Sequence, residues 1–314
     1  MADYFLGVDG GQSSTFALIG DGHGRVLGAG RGGPSNHVAA PEAPAKFTGA
    51  IRECLSAACG SAGLDAAAIR FRASCLGFSG GPADKEAILR EILASERIVV
   101  THDALIALSG ATGGDPGIIT IAGTGSIVFG RNASGKTARA GGWGYVFGDE
   151  GSGFDIARRA LQASLKLEEG WGAETSLRPI LLDETGAVDV NDLLHRFYTP
   201  EFPRPRIAAL AELVDQAAEQ DDAVARQILD DAARDLARLC TAVRAQLFGD
   251  SDPVRIAYIG GVFRSRTVRE RFIELTGGRT GPPIFGPAAG ALLEAYRAAG
   301  VSCTLTNAPP EKPC

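Results

Sequence analysis

The chain is short of what would send it to a membrane, to nucleic acid or to a metal cluster. No run approaches the ~20 consecutive apolar residues that a spanning helix needs. The opening residues, Met1-Ala2-Asp3-Tyr4, lack the basic region of a secretory signal, so a cytoplasmic location is expected. Acids outnumber bases by 37 to 31, giving a formal charge of -6, whereas a nucleic-acid surface would need a basic stripe. The six cysteines, Cys54, Cys59, Cys75, Cys240, Cys303 and Cys314, have no paired-ligand spacing. Buried or surface thiols are expected, and neither zinc nor an iron–sulfur cluster is indicated.

What is present is glycine, and it is concentrated. Between Gly117 and Gly153 there are eleven. The stretch opens with a buried-strand run, Gly117-Ile118-Ile119-Thr120-Ile121-Ala122, breaks at Gly123-Thr124-Gly125-Ser126 and resumes as Ile127-Val128-Phe129-Gly130. Then follow Gly141-Gly142-Trp143-Gly144 and Gly148-Asp149-Glu150-Gly151-Ser152-Gly153. Tight turns alone would use glycine, but these are interleaved with hydroxyls, an aromatic and two acids, which points to backbone pressed against a ligand. On an acidic protein, an anionic ligand must be held by backbone amides and a metal.

The N-terminus shows the same pattern. Tyr4 to Asp9 is a strand, Gly10-Gly11-Gln12-Ser13-Ser14-Thr15 a hydroxyl-rich turn, and Phe16 to Ile19 a second strand, with a third around Val26-Leu27. Amides in such a turn form an anion-binding concavity, and Asp9 can face a hydrated metal or merely cap the turn. The echo at Gly123 to Ser126 makes a weak internal repeat with two phosphate-cradle candidates. At 314 residues, two lobes are expected.

The rest of the chain alternates helices and strands. Helices are predicted over 41–62, 83–93, 104–109, 154–167, 206–219, 223–247 and from Pro287 to Ala298, with another starting near Ser265. Strands are predicted at Ala73 to Phe78, Arg97 to Thr101 and Val254 to Ile259. The second of these delivers His102-Asp103 to a C-terminal strand end, where parallel α/β sheets bind ligands, although Asp103 serves equally as a helix cap. Asn36, in a loop after the third strand, suits a turn and also suits a sugar. Gly260-Gly261 follows a buried strand and allows close ligand approach. Asp149 and Glu150 also suit a helix start. The proline-containing tail from Ser302 reads as disordered.

One literal match misleads. Gly130 to Thr137 fits the Walker A pattern, but a P-loop needs its Lys-Thr to open a helix, and the glycine-rich residues after Thr137 cannot form one. Asn132-Ala133-Ser134-Gly135 reads instead as a hairpin turn. The glycosylation match at Asn132 is moot without secretion.

Taken together, Val8-Asp9-Gly10-Gly11, Ser35-Asn36-His37, Thr101-His102-Asp103-Ala104, Gly123 to Ser126, Gly141 to Gly144, Gly148 to Ser152 and Gly260-Gly261-Val262 resemble the N-acetylglucosamine kinase and BadF/BadG/BcrA/BcrD ATPase family. That family lies within the sugar kinase, Hsp70 and actin superfamily. The resemblance implies an α/β fold of two ribonuclease-H-like lobes, the actin/hexokinase-like ATPase fold, with ATP in an interlobe cleft. The lobes would be 1–115 and 116–300, with the last helix, 287–300, returning to the first lobe and a flexible tail over 301–314. It implies that Asp9 binds Mg²⁺, that Gly10, Gly11, Ser13, Thr124, Gly125 and Ser126 hold phosphates, and that Gly260, Gly261 and Ala288 flank the adenosine. Asn36, Asp103, Gly142, Trp143, Gly144 and Asp149 match positions that hold an amino sugar, with Asp103 as catalytic base. Trp143 fits a sugar-facing ring or a core residue. Gln12-Ser13 departs from the Gly-Thr of many relatives, and the adenine-side match is loose. A homodimer is a family-level expectation.

The expected reaction is transfer of the γ-phosphoryl of Mg-ATP to an amino sugar, N-acetylglucosamine at its 6-hydroxyl, with glucosamine, N-acetylmuramic acid, N-acetylmannosamine and glucose as alternatives. A BadF-type activator ATPase of a CoA-thioester reductase or dehydratase shares the nucleotide motifs but needs cysteines for a bridging cluster. A sugar-sensing repressor would need an N-terminal helix-turn-helix, for which the sequence leaves no room before the first strand.

Overall fold

The computed structural model describes residues 3–35, 43–79 and 85–310. In chain order the first elements are β1 (Tyr4–Gly10), β2 (Thr15–Asp21), β3 (Val26–Gly32), α1 (Ala43–Ala62), β4 (Phe71–Phe78), α2 (Glu86–Ile92), β5 (Ile98–His102) and α3 (Asp103–Thr112). Next come β6 (Gly117–Ala122), β7 (Ser126–Arg131), β8 (Thr137–Gly141), α4 (Gly153–Glu168), α5 (Leu177–Thr185), α6 (Val190–Arg196), α7 (Arg204–Ala209), α8 (Ala211–Glu219) and α9 (Ala223–Leu247). The chain ends with β9 (Arg255–Ile259), a short 3₁₀ turn (Gly261–Arg264), α10 (Arg266–Thr276), β10 (Arg279–Gly281) and α11 (Pro287–Ala298).

Two compact units divide these elements, one holding residues up to Pro116 together with those from Pro283 onward, the other Gly117–Pro282. Each is built on a five-stranded mixed sheet, of order β3-β2-β1-β4-β5 in the first and β8-β7-β6-β9-β10 in the second. Within each sheet the three consecutive strands pair antiparallel, and the next two add in parallel. The weak sequence repeat between the two glycine turns is therefore a repeat of whole sheets.

In the first unit, β1 and β2 alternate between two apolar layers. Leu6, Val8, Ala17 and Ile19 face α1, whereas Phe5 and Leu18 face α11. That period of two is what a strand buried on both faces requires. Strand β3 gives up side chains altogether on its α1 face. A Cβ on Gly28, Gly30 or Gly32 would overlap the carbonyls of Ala58, Cys54 and Ala50, residues four apart along α1. Strand period two and helix period four thus mesh without side chains between them.

In the second unit a larger core gathers α4, α8, α9 and α10 against the sheet through Ile156, Val214, Leu236, Val243 and Phe272. The helix predicted as 206–219 is interrupted at Leu210, so α7 and α8 are separate. The Walker-like segment is the β7–β8 hairpin. Asn132 Oδ1 accepts from the amides of Ser134 at 3.1 Å and Lys136 at 3.0 Å, and Lys136 Nζ donates to Gln246 O.

The tail departs from the sequence expectation through Pro310. Thr306 pairs in parallel with Arg25, its carbonyl accepting from Val26 N–H at 2.9 Å, and Leu305 is buried. One apolar anchor and a vacant edge on β3 order a segment whose composition reads as loop.

Candidate active site

Register brings the first set of residues together. Along the parallel ladder, Asp9 lies opposite Gly77 and Gly10 opposite Phe78, while Phe78 lies opposite His102. Strands in a sheet are about 4.8 Å apart, so Asp9 and Asp103 stand at the same sheet end, roughly 10 Å from each other. The turn between β1 and β2 is closed by Gly11 N–H donating to Ser14 O at 3.0 Å.

Asp103 is the first residue of α3 and is solvent-exposed. Its Oδ1 accepts from the Ala104 amide at 2.8 Å, and its Oδ2 from the Ser79 hydroxyl at 2.9 Å. The preceding His102 takes the extended cap position and makes no side-chain cap bond. The carboxylate is therefore oriented by a hydroxyl from the loop after β4 and by the helix N-terminus, while remaining open to solvent. Ser79 did not stand out in the sequence; a lone serine after a strand carries no signal.

A Cβ on Gly10 would overlap the Phe78 ring and come within 2.6 Å of Ser35 Oγ, so packing within the unit already excludes a side chain there. One observation at this end fits a phosphate-bearing ligand. Ser35 itself is 2 % exposed, and its hydroxyl has no hydrogen-bond partner, the mark of a group that a ligand or water completes. No cluster of three or more His, Cys, Asp or Glu able to hold a metal occurs among the described residues. An aspartate at the end of β1, followed by a turn carrying Ser13 and Ser14, suits Mg²⁺, which keeps most of its waters and leans on substrate phosphates. Asn36 lies outside the described residues.

The second unit repeats the arrangement. After β6, Gly123 N–H donates to Gly125 O at 2.9 Å and Gly123 O accepts from Gly153 N–H at 2.8 Å, fixing the turn to the start of α4. No atom lies within 4 Å of the Cβ position of Gly123. Ser126 donates its hydroxyl to Glu150 O at 2.7 Å, and its amide to Asp149 Oδ1 at 3.2 Å. Asp149 is 3 % exposed and holds a left-handed φ of 64°, unusual outside glycine. Neither it nor Glu150 caps α4; that role belongs to Ser152, whose hydroxyl accepts from Asp155 N–H at 3.2 Å.

Gly142 N–H donates to Ser126 O at 2.9 Å, and Gly142 and Gly144 both take positive φ. Between them Trp143 is 64 % exposed, which removes the core reading of that residue, and the Arg139 guanidinium lies 4.5 Å from its ring centroid. Gly260 follows β9 with φ 112°, and a Cβ there would overlap Ala122 O on the neighbouring strand. Gly261 lines a cavity of about 320 Å³ together with Ala211, Asp215, Gln216, Val262 and Ser265. Ala288 is not part of this cavity. It sits fully buried on α11 in the first unit, in the apolar cluster that also holds Phe5 of β1.

Arg204, at the start of α7, is the functional candidate that the sequence gave no reason to single out. Its Nη2 is paired with Asp149 Oδ2, and its guanidinium lies 5.2 Å from the Tyr145 ring and 5.9 Å from that of Phe154. The cysteines are placed differently. Cys54, Cys59, Cys75 and Cys240 are buried, and burial pushes the Cys54 and Cys240 thiols up to about 12, so they stay protonated.

Two glycine–hydroxyl turns at equivalent strand ends of two like-ordered sheets define the actin/hexokinase-like ATPase fold. The model for the BadF/BadG/BcrA/BcrD ATPase family matches residues 6–295, and the chain belongs to that family. It is similar to the N-acetylmuramic acid/N-acetylglucosamine kinase of Clostridium acetobutylicum, at 34 % identity over 267 residues, 83 % of this chain and 86 % of the relative. The N-acetyl-D-glucosamine kinase of Dictyostelium discoideum is 31 % identical over 273 residues, 82 % and 85 % of the two chains. A crystal structure of a protein from Chromobacterium violaceum assigned as an N-acetylglucosamine kinase superposes with a TM-score of 0.68 at 31 % identity, covering 93 % of this chain and 98 % of that one. Among the described residues no helix is long and apolar enough to cross a membrane.

Proposed function

We propose that this ATP-dependent sugar kinase phosphorylates an amino sugar, N-acetylglucosamine or its lactyl ether N-acetylmuramic acid, at the 6-hydroxyl. The observation that carries the reading is the exposed Asp103 carboxylate, oriented by Ser79 and the α3 N-terminus at the sheet end that also bears Asp9. Such a carboxylate accepts the proton of a sugar hydroxyl as that oxygen becomes a nucleophile. Phosphoryl transfer asks little covalent chemistry of a protein and depends on positioning and charge neutralisation.

Asn36, Gly142, Trp143, Gly144 and Asp149 hold the sugar in this reading. The exposed Trp143 ring offers an apolar face, and the bent backbone at Gly142 and Gly144 lets the sugar approach without side chains in the way. Gly10, Gly11 and Ser13 of the first turn and Thr124, Gly125 and Ser126 of the second bind phosphates through backbone amides and hydroxyls, and Asp9 holds Mg²⁺ through its water shell. ATP supplies the phosphoryl group and Mg²⁺ neutralises the charge developing on it. Gly260 and Gly261 admit the adenosine beside the cavity bounded by Ala211 and Gln216.

The test is ADP release from the purified protein with Mg-ATP, alone and with N-acetylglucosamine, N-acetylmuramic acid, glucosamine, N-acetylmannosamine or glucose. One amino sugar is expected to stimulate release at least a hundredfold, and the phosphorylated carbon of the product is read by phosphorus–proton correlation NMR. Steady hydrolysis indifferent to every sugar would remove the sugar from the function and leave the activator-type ATPase.

A further inference from the structure

The pair formed by Arg204 and Asp149 joins two parts of the second unit that are far apart in sequence. Asp149 is the centre of it. One carboxylate oxygen accepts the Ser126 amide of the glycine turn at 3.2 Å, and the other takes the Arg204 guanidinium. A Cβ on Gly125 would come within 2.8 Å of Arg204 Nη2 and 2.9 Å of Asp149 Oδ2, so turn, carboxylate and guanidinium occupy one small volume.

Several features show that the pair is held deliberately. The Asp149 side chain is only 5 % exposed, and a buried carboxylate stripped of its cation is strongly disfavoured. Arg204 enters from a rigid position, flanked by Pro203 and Pro205 at the start of α7, where proline fixes the backbone. Its guanidinium lies against the rings of Tyr145 and Phe154, which restrict its swing. Its Nε–H is buried with no partner. Stability alone would not select an orphaned buried donor; it is tolerated where something else fixes the group in place.

We propose that Arg204 is a positioning residue for amino-sugar binding: it aims the Asp149 carboxylate, and through Asp149 it latches the Gly123–Ser126 turn. The proposal rests on the reading of Asp149 as a sugar ligand. With both oxygens already engaged, Asp149 meets a sugar hydroxyl only through its remaining lone pairs, so its orientation, set by Arg204, decides whether that bond forms. Because Arg204 pairs with Asp149 directly and reaches the phosphate-binding turn only through it, its removal weakens sugar binding most and nucleotide binding to a smaller extent.

The experiment compares Arg204→Gln, Arg204→Lys, Asp149→Asn and the Arg204→Gln/Asp149→Asn double variant with the native protein. Measured for each are the sugar KM, the Mg-ATP KM, kcat and amide hydrogen exchange at Ser126 in the free protein. Arg204→Gln is expected to raise the sugar KM at least tenfold and the Mg-ATP KM by a smaller factor, about two- to fivefold through the loosened turn, with Arg204→Lys falling between it and the native protein. The double variant is expected to be no worse than Asp149→Asn, since both changes break one unit. Ser126 exchange is expected to quicken at least tenfold in Arg204→Gln. An unchanged sugar KM in a folded Arg204→Gln protein, or single-variant effects that multiply in the double, would overturn the proposal. Should Arg204→Gln not fold, the same comparisons on Arg204→Lys decide it. If the native protein phosphorylates no amino sugar, the kinase reading falls, and Ser126 exchange alone judges the latch: unchanged exchange removes it, faster exchange leaves it standing.

Discussion

Single residues divide into those whose type announced a role and those that only geometry reveals. Asp103 stands out in the sequence as a candidate because a strand end followed by His-Asp and a helix is a recurrent place for chemistry, yet its second oxygen is set by Ser79, 24 positions away and invisible to local reading. Arg204 was hidden for the same reason, since its partner Asp149 lies 55 positions upstream. Trp143 was ambiguous because exposure cannot be read from a flanking glycine. The two residues around the carboxylate make separable expectations. Asp103→Asn should abolish turnover while leaving sugar affinity nearly intact in calorimetry, and retention of a tenth of the rate would remove Asp103 as the base. Ser79→Ala keeps the base and loses one hydrogen bond to a partly solvated charge, so kcat should fall only about three- to tenfold. A Ser79→Ala protein as inactive as Asp103→Asn would mean that the serine itself touches the reacting groups.

At the scale of elements, long periodic segments were readable and their interruptions were not. The helix over 223–247 matches α9 because an apolar stripe repeats over many turns. The break at Leu210 has no glycine or proline to mark it. Strand β3 shows what sequence pattern hides in plain view: Gly28, Gly30 and Gly32 alternate like a strand, but their meaning lies in the carbonyls of α1 above them. The mesh makes opposite predictions for two glycine-to-alanine changes. Gly30→Ala would drive a methyl into Cys54 O and the Ala58 amide, with an overpacking cost of about 1–3 kcal/mol. Gly49→Ala, on the exposed face of α1 with nothing within 4 Å of its Cβ, should stabilise by roughly 0.5–1 kcal/mol through helix propensity. Urea unfolding midpoints of the two variants should therefore move in opposite directions. Equal shifts would mean that α1 does not rest on β3 as closely as drawn.

At the scale of the whole molecule the sequence repeat was faint because only the turns carry it, whereas the sheets that deliver those turns share order and direction and little wording. Sheet topology follows from pairing between distant strands, which is why β4, β5 and β9 are legible as strands while their places in the sheets, and the short β10, needed coordinates. Both units also bury thiols, and one in each core is held far from ionisation. Cys54 packs between α1 and the first sheet, and Cys240 lies on α9 in the second core. For both, burial is the main cause of a rise from 9.0 to about 12. A raised thiol value means that the unfolded chain releases its proton first. The stabilisation is complete below about pH 9 and is lost progressively between there and about pH 12, as the unfolded state alone ionises. At pH 10 the loss should be on the order of 1 kcal/mol per thiol. Urea unfolding at pH 7.5 and pH 10 should accordingly show a stability drop in the native protein that is smaller in Cys54→Ala/Cys240→Ala, even though the double variant starts lower from its two lost side chains. An identical drop in both proteins would place the alkaline sensitivity elsewhere and mean that these thiols are hydrated enough to ionise in the folded state.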